Sequence, residues 1–232
     1  PHLTHPLIQF ASQSQLDKKT DSLEQHNQQK SESTSSLQLI TQSLNLLNNL
    51  INNNITKCKE VSYITNALHS FCALTNYKIN IHFSQEIDKQ TFAVRSSNRH
   101  CLSLIKLYGD ASVHTELINA RYARVLVIAI STAGGTGEEQ DLGIYDGLDR
   151  ISEFIRCLNQ GRNYEPTFPP QPLLGRRSVE QIEEEGGNEE IDSKLINKGN
   201  YSHIKTDANE AKRMILNYFI EQGNQRPYWY NY

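Results

Sequence analysis

The chain has 232 residues, 37 % of them hydrophobic, and its 23 basic and 26 acidic residues leave a net charge of -3. That balance lacks the broad positive field of a nucleic-acid binder, and no run approaches the roughly 18 apolar residues of a membrane span. The length suits one domain of ordinary size with polar extensions.

The N-terminus has no basic-then-apolar secretion pattern. It starts at Pro1 rather than Met, which leaves room for a segment removed by processing. Cys58, Cys72, Cys101 and Cys157 are widely spaced and form no C-x-x-C pair. This usage fits reduced, buried thiols in a cytoplasmic protein.

Residues 1–36 read as a polar, flexible leader rich in Gln, Ser, His and Lys. Its first ten residues make a candidate docking segment, and His2 and His5 stand at a spacing able to hold a metal. From Leu37 the pattern is helical. Leu37, Ile40, Leu44, Leu47 and Ile51 follow a 3-4-3-4 seam, with Leu39, Leu46 and Leu50 widening it. Core packing is the plain reading of this seam, and pairing with a partner helix is the sharper one. A second helix is expected over Glu60–Leu74 with Val61, Ile64, Leu68 and Phe71 on one face, completing a helical hairpin.

Alternation of Ile79, Ile81 and Phe83 with polar neighbours predicts a strand. Phe92 with Val94, and Leu102–Leu107, suggest two more in an antiparallel meander. Residues 111–122 fit helix or loop. Val125–Ile130, apolar on both faces, reads as a central buried strand. Leu142–Leu158 reads as the helix that follows, with Ile144, Leu148, Ile151, Ile155 and Leu158 as its stripe and Gly161 as its stop. The expected fold is therefore α+β: an N-terminal helical hairpin on a small, mostly antiparallel sheet over residues 37–161, with an extended C-terminal arm.

Residues 162–206 read as a Pro-rich and acidic linker. Tyr164–Leu174 is proline-dense, and residues 178–193 carry seven carboxylates and no base. A docking strip for a basic partner is the alternative there. In 207–232, Asp207 and Glu210 form a capping box, with Ala211, Ile215, Tyr218 and Phe219 as the apolar face of a last helix. Four aromatics, Tyr228, Trp229, Tyr230 and Tyr232, crowd the end. Leaving them in water forfeits ~1.5–3 kcal/mol for each side chain that could be fully buried, so this tail is expected to dock.

The Ala123–Gly137 stretch is the one place that suggests a ligand. A buried strand, a glycine-rich loop and a helix start together suit a phosphate. Thr132, Gly134, Gly135, Thr136 and Gly137 would form the cradle. No Lys follows as in a Walker loop, and the dinucleotide pattern G-x-G-x-x-G is absent. Ala133-Gly134-Gly135-Thr136 resembles the Thr-Gly-Gly-Thr ribose-phosphate loop of phosphoribosyltransferases. The acidic pair that holds the ribose hydroxyls in that family is replaced here by Ile128-Ala129. Ala133–Gly137 is also similar to the Gly-Gly-Gly-Thr-Gly nucleotide loop of tubulin and FtsZ. Each likeness covers about 12 residues, and Glu138, Glu139 and Asp141 put carboxylates where a phosphate would sit.

Arg95, Arg99, Arg121 and Arg124 suggest a local basic patch, with Arg176-Arg177 apart from it. No aromatics interleave with them as a single-strand nucleic-acid surface needs. Catalytic residues, metal ligands and cofactors are not expected. The sequence reads first as a non-enzymatic adaptor or accessory subunit of a larger cytoplasmic protein assembly. Its expected contacts are Leu37, Leu44, Ile51, Tyr218, Phe219, Tyr228, Trp229, Tyr230 and Tyr232. A small phosphate- or nucleotide-binding enzyme centred on 131–137 is the alternative.

Overall fold

The computed structural model describes residues 2–20, 34–79, 81, 83–131, 141–196 and 203–216. In chain order the helices among them are α1 (Thr4–Thr20), α2 (Thr34–Asn53), α3 (Ile55–Ser62), α4 (Ala67–Thr75), α5 (Gln85–Tyr108), α6 (Ala111–Asn119), α7 (Tyr122–Ser131), α8 (Asp141–Gln160), α9 (Pro172–Glu184), α10 (Gly187–Ile196) and α11 (His203–Leu216). The only β pairing among the described residues is one antiparallel bridge between Arg162 and Phe168. The α+β expectation is therefore wrong. The protein is helical, and no described segment forms a sheet.

Two segments account for most of that error. Phe92, Val94 and Leu102–Leu107, read as strands, belong to the 24-residue helix α5. Its inward seam is Thr91, Val94, Asn98, Cys101 and Ile105, a 3-4-3-4 spacing in which two of the five are polar. The Ser84 hydroxyl accepts the Ile87 amide at the N-terminus, and Glu86 and Asp88 complement the positive end of the helix dipole. Ile81 and Phe83, the supposed strand before it, are exposed.

The other segment is Val125–Ile130. It is buried on both sides, but as helix α7, where Tyr122, Ala123, Val125, Leu126, Val127, Ala129 and Ile130 are all buried. Periodicity cannot separate a short all-apolar strand from a buried helix, and a helix hydrophobic around its circumference belongs inside the protein. The turn before it is set by Arg121 in the left-handed region (φ 62°).

Two layers of packing emerge. In the first, α2 lies along α5, α4 packs on α5, and α1 covers α4. Leu7 and Ala11 of α1 are buried, and Phe10 meets the Tyr77 ring at 5.2 Å. The single helix expected over Glu60–Leu74 is split by Asn66 in the left-handed region (φ 64°) into α3 and α4. In the second layer, α8 packs against α7, α9 and α11, and α10 against α11. Ile144, Leu148, Ile151, Ile155 and Leu158 of α8 are fully buried. Residues 172–196, proline-flanked and acidic, form α9 and α10. Val179, Ile182 and Ile191 face inward there and the carboxylates mostly outward. The last helix begins at His203, so Asp207 lies within its second turn rather than at its start.

Within the first layer, buried polar side chains of α5 tie it to the carboxyl end of α4. Asn98 donates from Nδ2 to the Phe71 carbonyl (2.6 Å) and the Thr75 hydroxyl (2.9 Å) at the end of α4, and Arg95 donates to the Tyr77 carbonyl (3.0 Å). Far-UV circular dichroism of the full chain will show a helix-dominated spectrum. Asn98→Leu, which takes the inter-helix donor away from the Phe71 carbonyl and the Thr75 hydroxyl, will cost roughly 1–3 kcal/mol, read from the urea midpoint.

Candidate functional site on the outer face of α2

Helix α2 runs for 20 residues, about 30 Å, and contains no Asp, Glu, Lys or Arg. It carries two apolar stripes. The inner one, Leu37, Ile40, Leu44, Leu47 and Ile51, is buried against the chain's own core. Three residues expected to meet a partner, Leu37, Leu44 and Ile51, thus have no exposed surface (0 % each). The packing is fixed by Asn48 Nδ2, which donates to the Ser97 carbonyl of α5 (3.0 Å), and by Tyr108, whose hydroxyl donates to Asn52 Oδ1 (2.9 Å).

The outer stripe is Leu39, Leu46 and Leu50, exposed by 60 %, 54 % and 48 %. Steps of seven and four residues place these three leucines on one side of the helix, more than a quarter-turn away from the inner seam. Ser35, Gln42, Asn49 and Asn53, all exposed, border them. In the sequence these leucines only broaden the amphipathic stripe. Their outward direction follows from α5 taking the 3-4-3-4 seam.

Tyr218, Phe219, Tyr228, Trp229, Tyr230 and Tyr232 lie outside the described residues, as do Thr132, Gly134, Gly135, Thr136 and Gly137. Of the loop region, Ser131 is exposed and its hydroxyl donates to the Ile128 carbonyl (3.0 Å). The arginines do not form one patch. Arg95 is buried, Arg121 pairs with Glu184 (3.7 Å), and Arg124 pairs with Glu185. Those pairs also engage two carboxylates of the acidic stretch considered as a docking strip. His2 and His5 are exposed, and no group of three or more metal-ligating side chains occurs among the described residues.

A cluster of titratable groups lies where α3, α5, α6 and α8 meet. Lys106 forms an ion pair with Glu153, and Lys59 with Asp110 (2.9 Å). Burial opposes the Asp110 charge, but hydrogen bonds from Ser112, Lys59 and the Val113 amide hold its carboxyl well below the usual range. His114 is fully buried, with its ring 4.9 Å from Phe168 and 5.9 Å from Phe154. Its Nδ1 lies 2.9 Å from the Asp110 carbonyl, an acceptor only, so Nδ1 carries the proton. Nε2 has no hydrogen-bond partner among the described residues. Burial, aided by the Arg162 and Lys106 charges, pushes its pKa down to about 4. Burial raises the Cys58 and Cys72 thiols to about 12 and lifts Cys101 as well, so these are inert packing groups rather than nucleophiles. All four cysteines are free and buried. An open depression of about 440 Å³ occurs at the start of α5, lined by Gln85, Asp88, Lys89 and Phe92.

Because the folded His114 stays neutral where the unfolded imidazole, at 6.5, takes up a proton, stability contributed here is complete above pH 6.5. It drains away as the pH falls toward about 4. The loss is on the order of 2–3 kcal/mol, read as a falling urea midpoint between pH 7 and pH 4.5. His114→Gln will flatten that slope.

No helix among the described residues is long and apolar enough to cross a membrane. No known family model, curated protein or solved structure matches this chain.

Proposed function

We propose that this chain is a non-enzymatic adaptor or accessory subunit of a larger cytoplasmic protein assembly, binding partners through helix faces and its terminal arms. The observation that carries this reading is the outer stripe of α2: three leucines, each about half exposed, on a helix with no charge to keep water. Fully burying a leucine is worth ~1.5–3 kcal/mol, so completing the burial of all three releases roughly 2–4 kcal/mol. Exposed apolar side chains gathered on one face mark an interaction surface more than scattered ones do. The aromatic end, Tyr228 to Tyr232, offers a second contact by its composition.

Affinity capture of the full chain from its native cell extract tests this reading. Leu46→Glu puts a charge in the middle of the stripe without touching the inner seam. It will release the proteins held through α2 while the circular dichroism spectrum stays unchanged. Truncation after residue 216 tests the aromatic end in the same way. Thermal stabilisation by a nucleotide or by phosphoribosyl pyrophosphate that Gly135→Glu abolishes would overturn the adaptor reading in favour of a ligand-binding enzyme.

A further inference from the structure

We infer that the outer face of α2 pairs with the same face of a second copy of this chain, in an antiparallel contact with its twofold axis beside residues 44 and 45. The inference rests on reading that face as a protein-contact surface, and it names the occupant.

Charge is the first argument. From Thr34 to Thr56 the chain carries no acidic or basic residue. A charged partner surface would lose hydration against this face and gain no countercharge in return. An identical face is neutral along its whole length, so two copies approach with neither repulsion nor an unpaired buried ion.

Register is the second. In an antiparallel pair, residues meet when their numbers sum to a constant, and a sum of 89 places Leu39 of one copy opposite Leu50 of the other at both ends. The two Leu46 side chains then lie about 4–5 Å apart along the axis, on either side of the twofold. The three exposed leucines of each copy thereby become one continuous row of six. Ser35 falls near Asn53 of the second copy, so the ends are hydroxyl and amide groups able to hydrogen-bond across the contact. A twofold contact uses one patch twice, which is the commonest solution for soluble oligomers.

Size sets the strength. One helix pair about 30 Å long covers less than the ~800 Å² per partner of a standard interface. The dimer is therefore weak and concentration-dependent, with a dissociation constant on the order of micromolar or above.

Sedimentation velocity of the full chain over a wide concentration range tests the stoichiometry, and cross-linking tests the register. The four native cysteines are buried, so introduced surface thiols report alone under mild oxidation. Leu39→Cys mixed with Leu50→Cys will give a cross-linked heterodimer in several-fold excess over the product of either variant alone, because like positions lie about 16 Å apart along the axis. Leu46→Glu will leave the chain monomeric. Sedimentation as a monomer at every concentration would overturn the inference, as would cross-linking that is the same for mixed and single variants. If Leu46→Glu fails to fold, the cross-linking comparison still decides. A monomeric wild-type chain whose captured partners depend on Leu46 would sink the homotypic contact and leave the adaptor reading standing. A dimer with no other partner would do the reverse.

Discussion

The packing of this protein turns on one buried guanidinium. Arg162 lies just beyond α8, in a stretch whose composition reads as the start of a linker, yet only 5 % of it is exposed. It donates to the carbonyls of Lys106 (3.3 Å), Leu107 (2.8 Å) and Gly109 at the carboxyl end of α5, and to Pro166 (2.7 Å) in its own loop. The Lys106 and Leu107 carbonyls are acceptors that the helix leaves unpaired, and a cation there also meets the negative end of the helix dipole. Phe168 and Tyr164 flank the guanidinium with ring centroids 4.8 and 5.3 Å away, adding cation–π attraction in a desolvated place. One side chain thus fastens the loop after α8 to the corner between α5 and α6.

Around that corner the other buried polar groups follow. Gly109 permits the tight approach, since a Cβ there would meet the Ile105 carbonyl at 2.6 Å. Asp110 then caps α6 through the Ser112 and Val113 amides. His114, one turn further on, closes over Phe168 and Phe154, and Phe154 meets Tyr122 of α7 edge-on at 5.1 Å. The Lys106–Glu153 pair crosses from α5 to α8 beside them. The perturbed titrations of Asp110, His114 and Glu153 are thus consequences of joining two helical layers. They need no catalytic purpose, and this is the structural side of the rule that displaced pKa values only suggest a site.

What could be read from the residues divides along physical lines. The α2 seam and the α8 stripe are legible because an unbroken helical spacing of apolar residues fills the centre of each inward face. Helix α5 is not, because Thr91, Arg95 and Asn98 occupy core positions, and a hydrophobic pattern registers them as breaks. Helix α7 defeats periodicity from the other side, since seven of its ten residues are buried and they spread over most of its circumference. In α9 and α10 the carboxylates dominate the composition, while burial depends on a few aliphatic residues and on close backbone approach. A Cβ on Gly187 would press on Ile182 Cγ2 at 2.5 Å and Val127 Cγ2 at 2.9 Å. The candidate contact surface was half visible. Its leucines stand out in the sequence, but which stripe faces out depends on where α5 lies, and that follows from tertiary packing alone.

The burial of α7 has a consequence for how the chain is made. Helices α4 and α6 cover part of it, but most of its cover comes from α8, α9 and α10, all later in the sequence. During synthesis, this apolar helix therefore emerges well before most of the segments that shelter it, and residues out to Ile196 must follow before its surface is closed. Domains generally complete folding as units, and exposed apolar intermediates invite aggregation. For a nascent chain that stretch is the hazardous interval, a natural site for chaperone engagement, and a reason that truncations within α9 or α10 would harm the whole protein rather than shorten an appendage.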